Sequence, residues 1–253
     1  MKKITVLLIV LMLGLSFGDS YAQKFKLNVI GGYSLPLPDL KGTFPDDANA
    51  NKNPMPYMMK NGFNVGGIGK YYFDKKNSIG MTLSLLYNSF SNTVEESPIV
   101  VQSGKNLSSA KFKMNMFQIG LGGEYRVPVK GAVIPFFDLD LTASFFSGNN
   151  KETLISTGIE TEYTLKSATR FGFNVGAGVE FIASSKISFV VGGKYQYFNL
   201  IGKEDYAART GTEYSLNDKE YSNTLEDGSS DARNIMALQI YGGINFNLDQ
   251  IFK

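Results

Sequence analysis

The sequence predicts an all-β fold, an eight-stranded antiparallel up-and-down transmembrane β-barrel with short turns at one end and long loops at the other. Three observations carry this prediction. Stretches of about ten residues alternate apolar and polar side chains, as strands with two different faces do. Tight turns alternate with long connections. Beyond the first 22 residues, no run of 18 apolar residues offers a helical span. The chain has 253 residues, 43% hydrophobic and 19% charged, with a net charge of +2, too apolar and too weakly charged for a disordered polypeptide. It contains no Cys, His or Trp. Lack of Cys excludes disulfide frameworks and zinc ribbons, and lack of His removes the commonest general base and metal ligand. With 25 basic and 23 acidic residues there is no basic stripe for nucleic acid.

Residues 1–22 read as a cleaved signal peptide. Lys2 and Lys3 precede the 14-residue apolar run ITVLLIVLMLGLSF, and Ser20 and Ala22 are the small residues before a cut that leaves Gln23 first. The apolar run is too short for a membrane anchor of about 20 residues. Residues 23–253 then form one barrel domain. Its eight strands are expected at about 25–35, 62–73, 79–90, 112–127, 134–146, 169–182, 187–200 and 234–248. DKKNS, PVKGAV and ASSK make tight turns, whereas 36–61, 91–111, 147–168 and 201–233 are long. Both termini therefore lie on the short-turn, periplasmic side of a bacterial outer membrane. In the loop 147–168, ETLIST and TEYTLKS flank Gly158 and read as strands that prolong the wall above the membrane and offer an edge to a partner.

A soluble barrel would carry its apolar face inside, so strand faces decide the environment. In the sixth strand Phe171, Phe173, Val175, Ala177, Val179 and Phe181 oppose Arg170, Gly172, Asn174, Gly176, Gly178 and Glu180. With the apolar faces outward, the lumen receives Lys26, Lys70, Arg126, Arg170 and Lys194 with Glu124, Asp138, Asp140 and Glu180. In the reverse register these nine charges face lipid. The five cations alone then cost up to about 10–20 kcal/mol, against a typical stability of about 5–15 kcal/mol. The lumen is thus expected to be a packed ion-pair network, with room supplied by Gly32, Gly66, Gly120, Gly122, Gly172, Gly176, Gly178 and Gly192. This assignment also predicts that Asp is better tolerated at Gly176 than at Ala177. Outward aromatic residues near both strand ends match the two belts of a membrane barrel.

GLGGEYRV at 120–127, NVGAGVEF at 174–181 and YGGINFNL at 241–248 resemble the outer-membrane beta-barrel domain proteins of Bacteroidetes, similar in architecture to the small OmpA and OmpX barrels. The resemblance implies outer-membrane lipid and lipopolysaccharide around the barrel. It also implies recognition by the barrel assembly machinery through an aromatic residue at the end of the last strand, Phe246 or Phe252. Enzymes on such barrels resemble one another in using His with Ser or Asp, and no such site is available here. No catalytic residue, cofactor or metal is expected. Asp138 and Asp140 are two apart on one face and could serve a carboxylate dyad, but ion pairing with Arg126, Arg170 or Lys194 in the lumen is the expected role.

Two further sites follow from the pattern. Leu86, Met114, Met116 and Phe198 face inward near the loop end and suggest an apolar mouth. Residues 201–232 carry eight acidic and three basic residues, a net of −5, expected to be solvated or to meet calcium or a basic partner. The functional expectation is a non-enzymatic barrel whose loops 147–168 and 201–232 contact a protein partner or the envelope. The alternative is a small barrel that takes a hydrophobic ligand through its extracellular mouth.

Overall fold

The computed structural model describes residues 24–41, 57–74, 76–97, 108–154, 157–204, 211–219 and 232–251. The leader 1–22, Phe252 and most of the acidic residues of 201–232 lie outside them. Among the described residues there are nine strands: β1 (Lys24–Pro36), β2 (Asn61–Tyr72), β3 (Ile79–Ser97), β4 (Ser108–Arg126), β5 (Val133–Leu154), β6 (Glu160–Ile182), β7 (Ile187–Ile201), β8 (Glu213–Tyr214) and β9 (Met236–Asn247). Eight of them close a ring. Each of β1 to β7 pairs antiparallel with its sequence neighbour, β7 pairs with β9, and β9 returns to β1. The two-residue β8 lies outside the ring and pairs parallel with β6 at Thr164 and Leu165.

Strand registry fixes the shape. Moving along directly opposed partners from Lys26 through Lys70, Thr82, Gly122, Asp140, Asn174, Gln196 and Ala237 returns to β1 at Pro36. The register therefore slips by ten residues in one circuit. With a rise of about 3.3 Å per residue and strands about 4.8 Å apart, that stagger tilts the strands by about 40°.

Sequence and structure agree along the membrane-spanning part of every strand. Exposure alternates residue by residue, for example from Phe136 to Phe146 in β5. Leu83, Leu85, Ile119, Leu121, Leu139, Leu141, Val175, Val191, Ile240 and Ile244 are exposed on the outer surface, where lipid is their natural solvent. Phe73, Tyr125, Phe137 and Phe181 are exposed toward the turn end, and Tyr33, Phe63, Phe145 and Phe171 toward the loop end. On β4 the outward residues Phe117 to Tyr125 cover about 20 Å along the barrel axis at this tilt, close to the ~25 Å apolar band of an outer-membrane barrel.

One side of the barrel is taller than the expected strands. β3 continues to Ser97, β4 begins at Ser108, β5 extends to Leu154 and β6 starts at Glu160. Together they form a wall beyond the ends of β1, β2, β7 and β9. At its tip Gly158 takes φ +67, a left-handed turn conformation that glycine adopts without strain, and Leu154 and Ile159 close the hairpin by a backbone hydrogen bond. At the other end β1 begins and β9 finishes on the turn side, where the Phe25 amide donates to Asp249 Oδ2 at 2.9 Å.

Candidate functional site

The lumen is the place where chemistry-bearing side chains converge, and its contents change from charged to apolar along the axis. Nearest the turns, Glu180 accepts from Lys26 Nζ at 2.7 Å, Arg126 Nη2 at 2.6 Å and Ser188 Oγ at 2.5 Å. Beside it Glu124 accepts from Lys70 Nζ and the Tyr72 hydroxyl, each at 2.5 Å. Arg126 also stacks over the Tyr72 ring, 5.2 Å from its centroid, and Lys70 over Phe136 at 5.0 Å. One step toward the loops, Lys194 Nζ lies 2.5 Å from Asp138 and 3.1 Å from Asp140, which also accepts from Thr82 Oγ1 at 2.6 Å. Above these ions comes a neutral tier in which Gln196 donates to Gln118, and Gln118 to Thr142 and Ser144.

Asp138 and Asp140 thus share Lys194 as their cation. Both carboxylates are clamped on one ammonium, and neither Arg126 nor Arg170 reaches them. All nine charged residues are buried, none more than 8% exposed. A buried pair gains little net energy over an apolar filling, but removing one partner leaves an uncompensated charge at about 3–5 kcal/mol. The lumen is therefore intolerant of single charge deletions. The interstice between Lys70, Thr82, Asp138, Asp140, Lys194 and Tyr241 has no room for a water molecule.

Arg170 stands apart from the other four cations. Four lumen carboxylates serve four of the five cations, and the fifth draws its counter-charge from the loop 202–235. Arg170 Nε and Nη2 donate to Asp218 at 2.9–3.2 Å, and Nη2 lies 3.3 Å from Glu204. Asp218 also accepts from Asn199 Nδ2 at 2.8 Å and the Glu204 amide at 3.1 Å. It is 0% exposed. The expectation that the acidic loop is simply solvated fails at this residue, because a buried guanidinium needs a buried anion. Glu204 and Glu213 are the other acidic residues of that loop among those described, and no group of three or more metal-ligating side chains is placed to hold an ion among the described residues.

Around this strap the loop end of the lumen is apolar. Met114, Met116 and Phe198 pack with Phe90, Phe112 and Phe146 from the wall and with Leu40, Met58, Met59, Leu216 and Ile235 from the loops. The Tyr57 hydroxyl donates to the Leu216 carbonyl at 2.7 Å, and burial pushes its ionisation well above the ordinary tyrosine range, so it stays a donor. Leu86 does not join this cluster. It belongs to a separate group deeper in the barrel with Ile30, Ile68, Phe136, Val190 and Tyr241, because it leans into the space left by Gly66, where a Cβ would lie 2.6 Å from its Cδ2. The three remaining mouth residues are at most 2% exposed, and loop side chains fill the space above them.

Residues 5–224 match the family described as outer membrane protein beta-barrel domain. The chain belongs to this family. It is accordingly a β-barrel held in the outer membrane by its strands. Among solved structures, the chain is similar to Neisserial surface protein A, with 12% identity, 91% of this chain and 99% of that one covered, and a TM-score of 0.40. It is also similar to Ail, the attachment invasion locus protein of Yersinia pestis, with 16% identity, 88% and 97% coverage and a TM-score of 0.35. The translocator domain of the autotransporter NalP from Neisseria meningitidis follows at 10% identity, 97% and 95% coverage and a TM-score of 0.31. No curated protein matches the chain.

Proposed function

We propose that this barrel is a non-enzymatic, solute-tight outer-membrane protein, exported by the leader 1–22, that acts through the wall and loops above the membrane. The observation that carries the reading is the lumen: fixed ion pairs fill its lower half, and apolar side chains tied down by the Arg170–Asp218 strap fill its mouth. A transport path would have to break both. The parts left for a partner are the hairpin at 147–168 and the loop 201–232, since loops carry variable recognition and the upper part of β6 offers a strand edge.

Reconstitution in planar bilayers and liposomes tests this. The expected outcome is no steady nanosiemens openings and no saturable uptake of a hydrophobic tracer. Steady openings overturn the solute-tight reading. Saturable tracer uptake supports instead a barrel that takes hydrophobic ligands, which the apolar mouth around Met114, Met116 and Phe198 favours.

A further inference from the structure

The tall wall has two upper edges, and the chain treats them differently. On β3 the edge ends in a bulge between Val94 and Ser97, one of the devices that make an edge a poor template. On β6 the ladder with β5 is regular from Glu160 to Leu165, and pairing with β7 begins only at Phe171. The other side of this stretch is therefore an edge, and among the described residues a single strand lies along it. That strand is β8, with Glu213 beside Thr164 and Tyr214 beside Leu165. The Thr164 amide donates to the Thr212 carbonyl at 2.8 Å.

β8 is weakly paired and firmly anchored. It spans two residues and runs parallel to β6, whereas all other strand pairs are antiparallel. Parallel pairing is the less stable kind. Glu213 is exposed, while Tyr214 packs on the apolar mouth with its hydroxyl donating to Asn150 Oδ1 at 3.2 Å. Just beyond, Leu216 is buried in the mouth and Asp218 is held by Arg170 and Asn199. What keeps β8 in place is thus the anchor that follows it, more than the edge it lies on.

The pleat gives that edge a defined chemistry, since alternate residues of a strand point to opposite faces. Glu160, Glu162 and Thr164 are exposed on the outer face, and Thr161, Tyr163 and Leu165 share the face turned to the mouth. An added strand sets one row of side chains over the mouth, where Tyr214 now lies, and the other row beside the two glutamates. A segment that alternates apolar with basic residues suits both rows. A second copy does not: in one membrane both copies of β6 run from loops to turns, so their edges meet in parallel, the weaker mode.

We infer that β8 is a cover strand, which guards the β6 edge and yields it to an extended segment of a protein partner, apolar on one face and basic on the other, that adds antiparallel beside Glu160–Leu165. Strand addition draws affinity from main-chain hydrogen bonds and specificity from alternate side chains. The Arg170–Asp218 clamp sets the fraction of molecules with an open edge, and with it the apparent affinity. The inference rests on the reading that the wall meets partners and adds how that meeting is regulated.

Binding of an eight-residue synthetic peptide alternating Tyr and Lys to the full-length protein in detergent tests it. Two controls are a backbone N-methylated copy, which cannot pair as a strand, and a copy with Glu in place of Lys. Thr164→Cys with Glu213→Cys puts cysteines on paired residues of a chain with no native cysteine, so oxidation locks β8 in place and reduction frees it. The peptide is expected to bind the reduced form at least about tenfold more tightly than the oxidised form, and Asp218→Ala more tightly than the wild type by a similar factor. Both control peptides should bind at least about tenfold more weakly. Equal binding to the oxidised and reduced forms overturns the cover role while leaving the wall as a partner surface. Equal binding of the N-methylated copy, or no binding to any form, overturns strand addition. Peptide-free dimers of Asp218→Ala on native mass spectrometry would assign the edge to a second copy and overturn the partner. If heat-dependent gel mobility shows Asp218→Ala unfolded, the oxidised and reduced pair still decides.

Discussion

Gly122 and Gly123 are neighbours in sequence and face opposite worlds. A Cβ on Gly122 would fall 2.0 Å from the Leu139 carbonyl and 2.5 Å from Asp140 Oδ1, whereas one on Gly123 would find nothing nearer than the Gly80 carbonyl at 3.5 Å. The lumen-facing residue cannot accept even a methyl group without displacing the backbone of β5. Gly122→Ala should therefore lose most of the heat-modifiable folded form on gels, and Gly123→Ala should keep it. Equal behaviour of the two would show that the strand face is misassigned. At Gly176 a Cβ would lie 2.4 Å from Asp138 Oδ2, so an added side chain there must push the Asp138 carboxylate aside. Facing the lumen does not imply space, because the glycines have already yielded theirs to the long ionic side chains.

Among the elements, the membrane-spanning strands were legible because alternation of apolar and polar residues is strongest where one face meets lipid. The upper parts of β3 to β6 were less so. At Ser91 to Thr93, Lys111 to Lys113 and Asn149 to Lys151 the outer face is wetted instead, so polar residues stand on the outside and the pattern that marks a strand fades while the pairing continues. The partner of Arg170 was not legible either, since Asp218 lies 48 residues away in a loop with no periodicity. One signal did point to it: five inward cations against four inward acids left one guanidinium in need of a carboxylate. That pairing fastens Asp218 and its described neighbours onto the mouth. Asp218→Ala leaves Arg170 with only the exposed Glu204, and should make trypsin cut within 202–235 at least about tenfold faster while the ring remains intact in unheated SDS. An unchanged cleavage rate would mean that the apolar contacts alone hold the segment down.

For the whole molecule, the ten-residue slip is the quantity that links sequence to shape, and it can be tested at the seam between β1 and β9. Gly31 stands directly opposite Gly242, both on the outer surface, in a chain with no native cysteine. Gly31→Cys with Gly242→Cys is expected to cross-link readily on oxidation of the assembled protein. Gly31→Cys with Ile240→Cys, two residues out of register, should form little disulfide, since the bond requires Cα atoms within about 7 Å. A reversed preference would require a slip other than ten and a barrel of different tilt.

The seam also sets an order of events. Ring closure joins the first strand of the barrel, Lys24–Pro36, to the last, Met236–Asn247, so every intervening residue must be available before the two ends can meet. Until then the nascent sheet carries two open edges, and open edges recruit other chains. Its apolar outer surface adds to the hazard in water. Before the ring closes, this polypeptide therefore passes through an aggregation-prone interval as an open sheet.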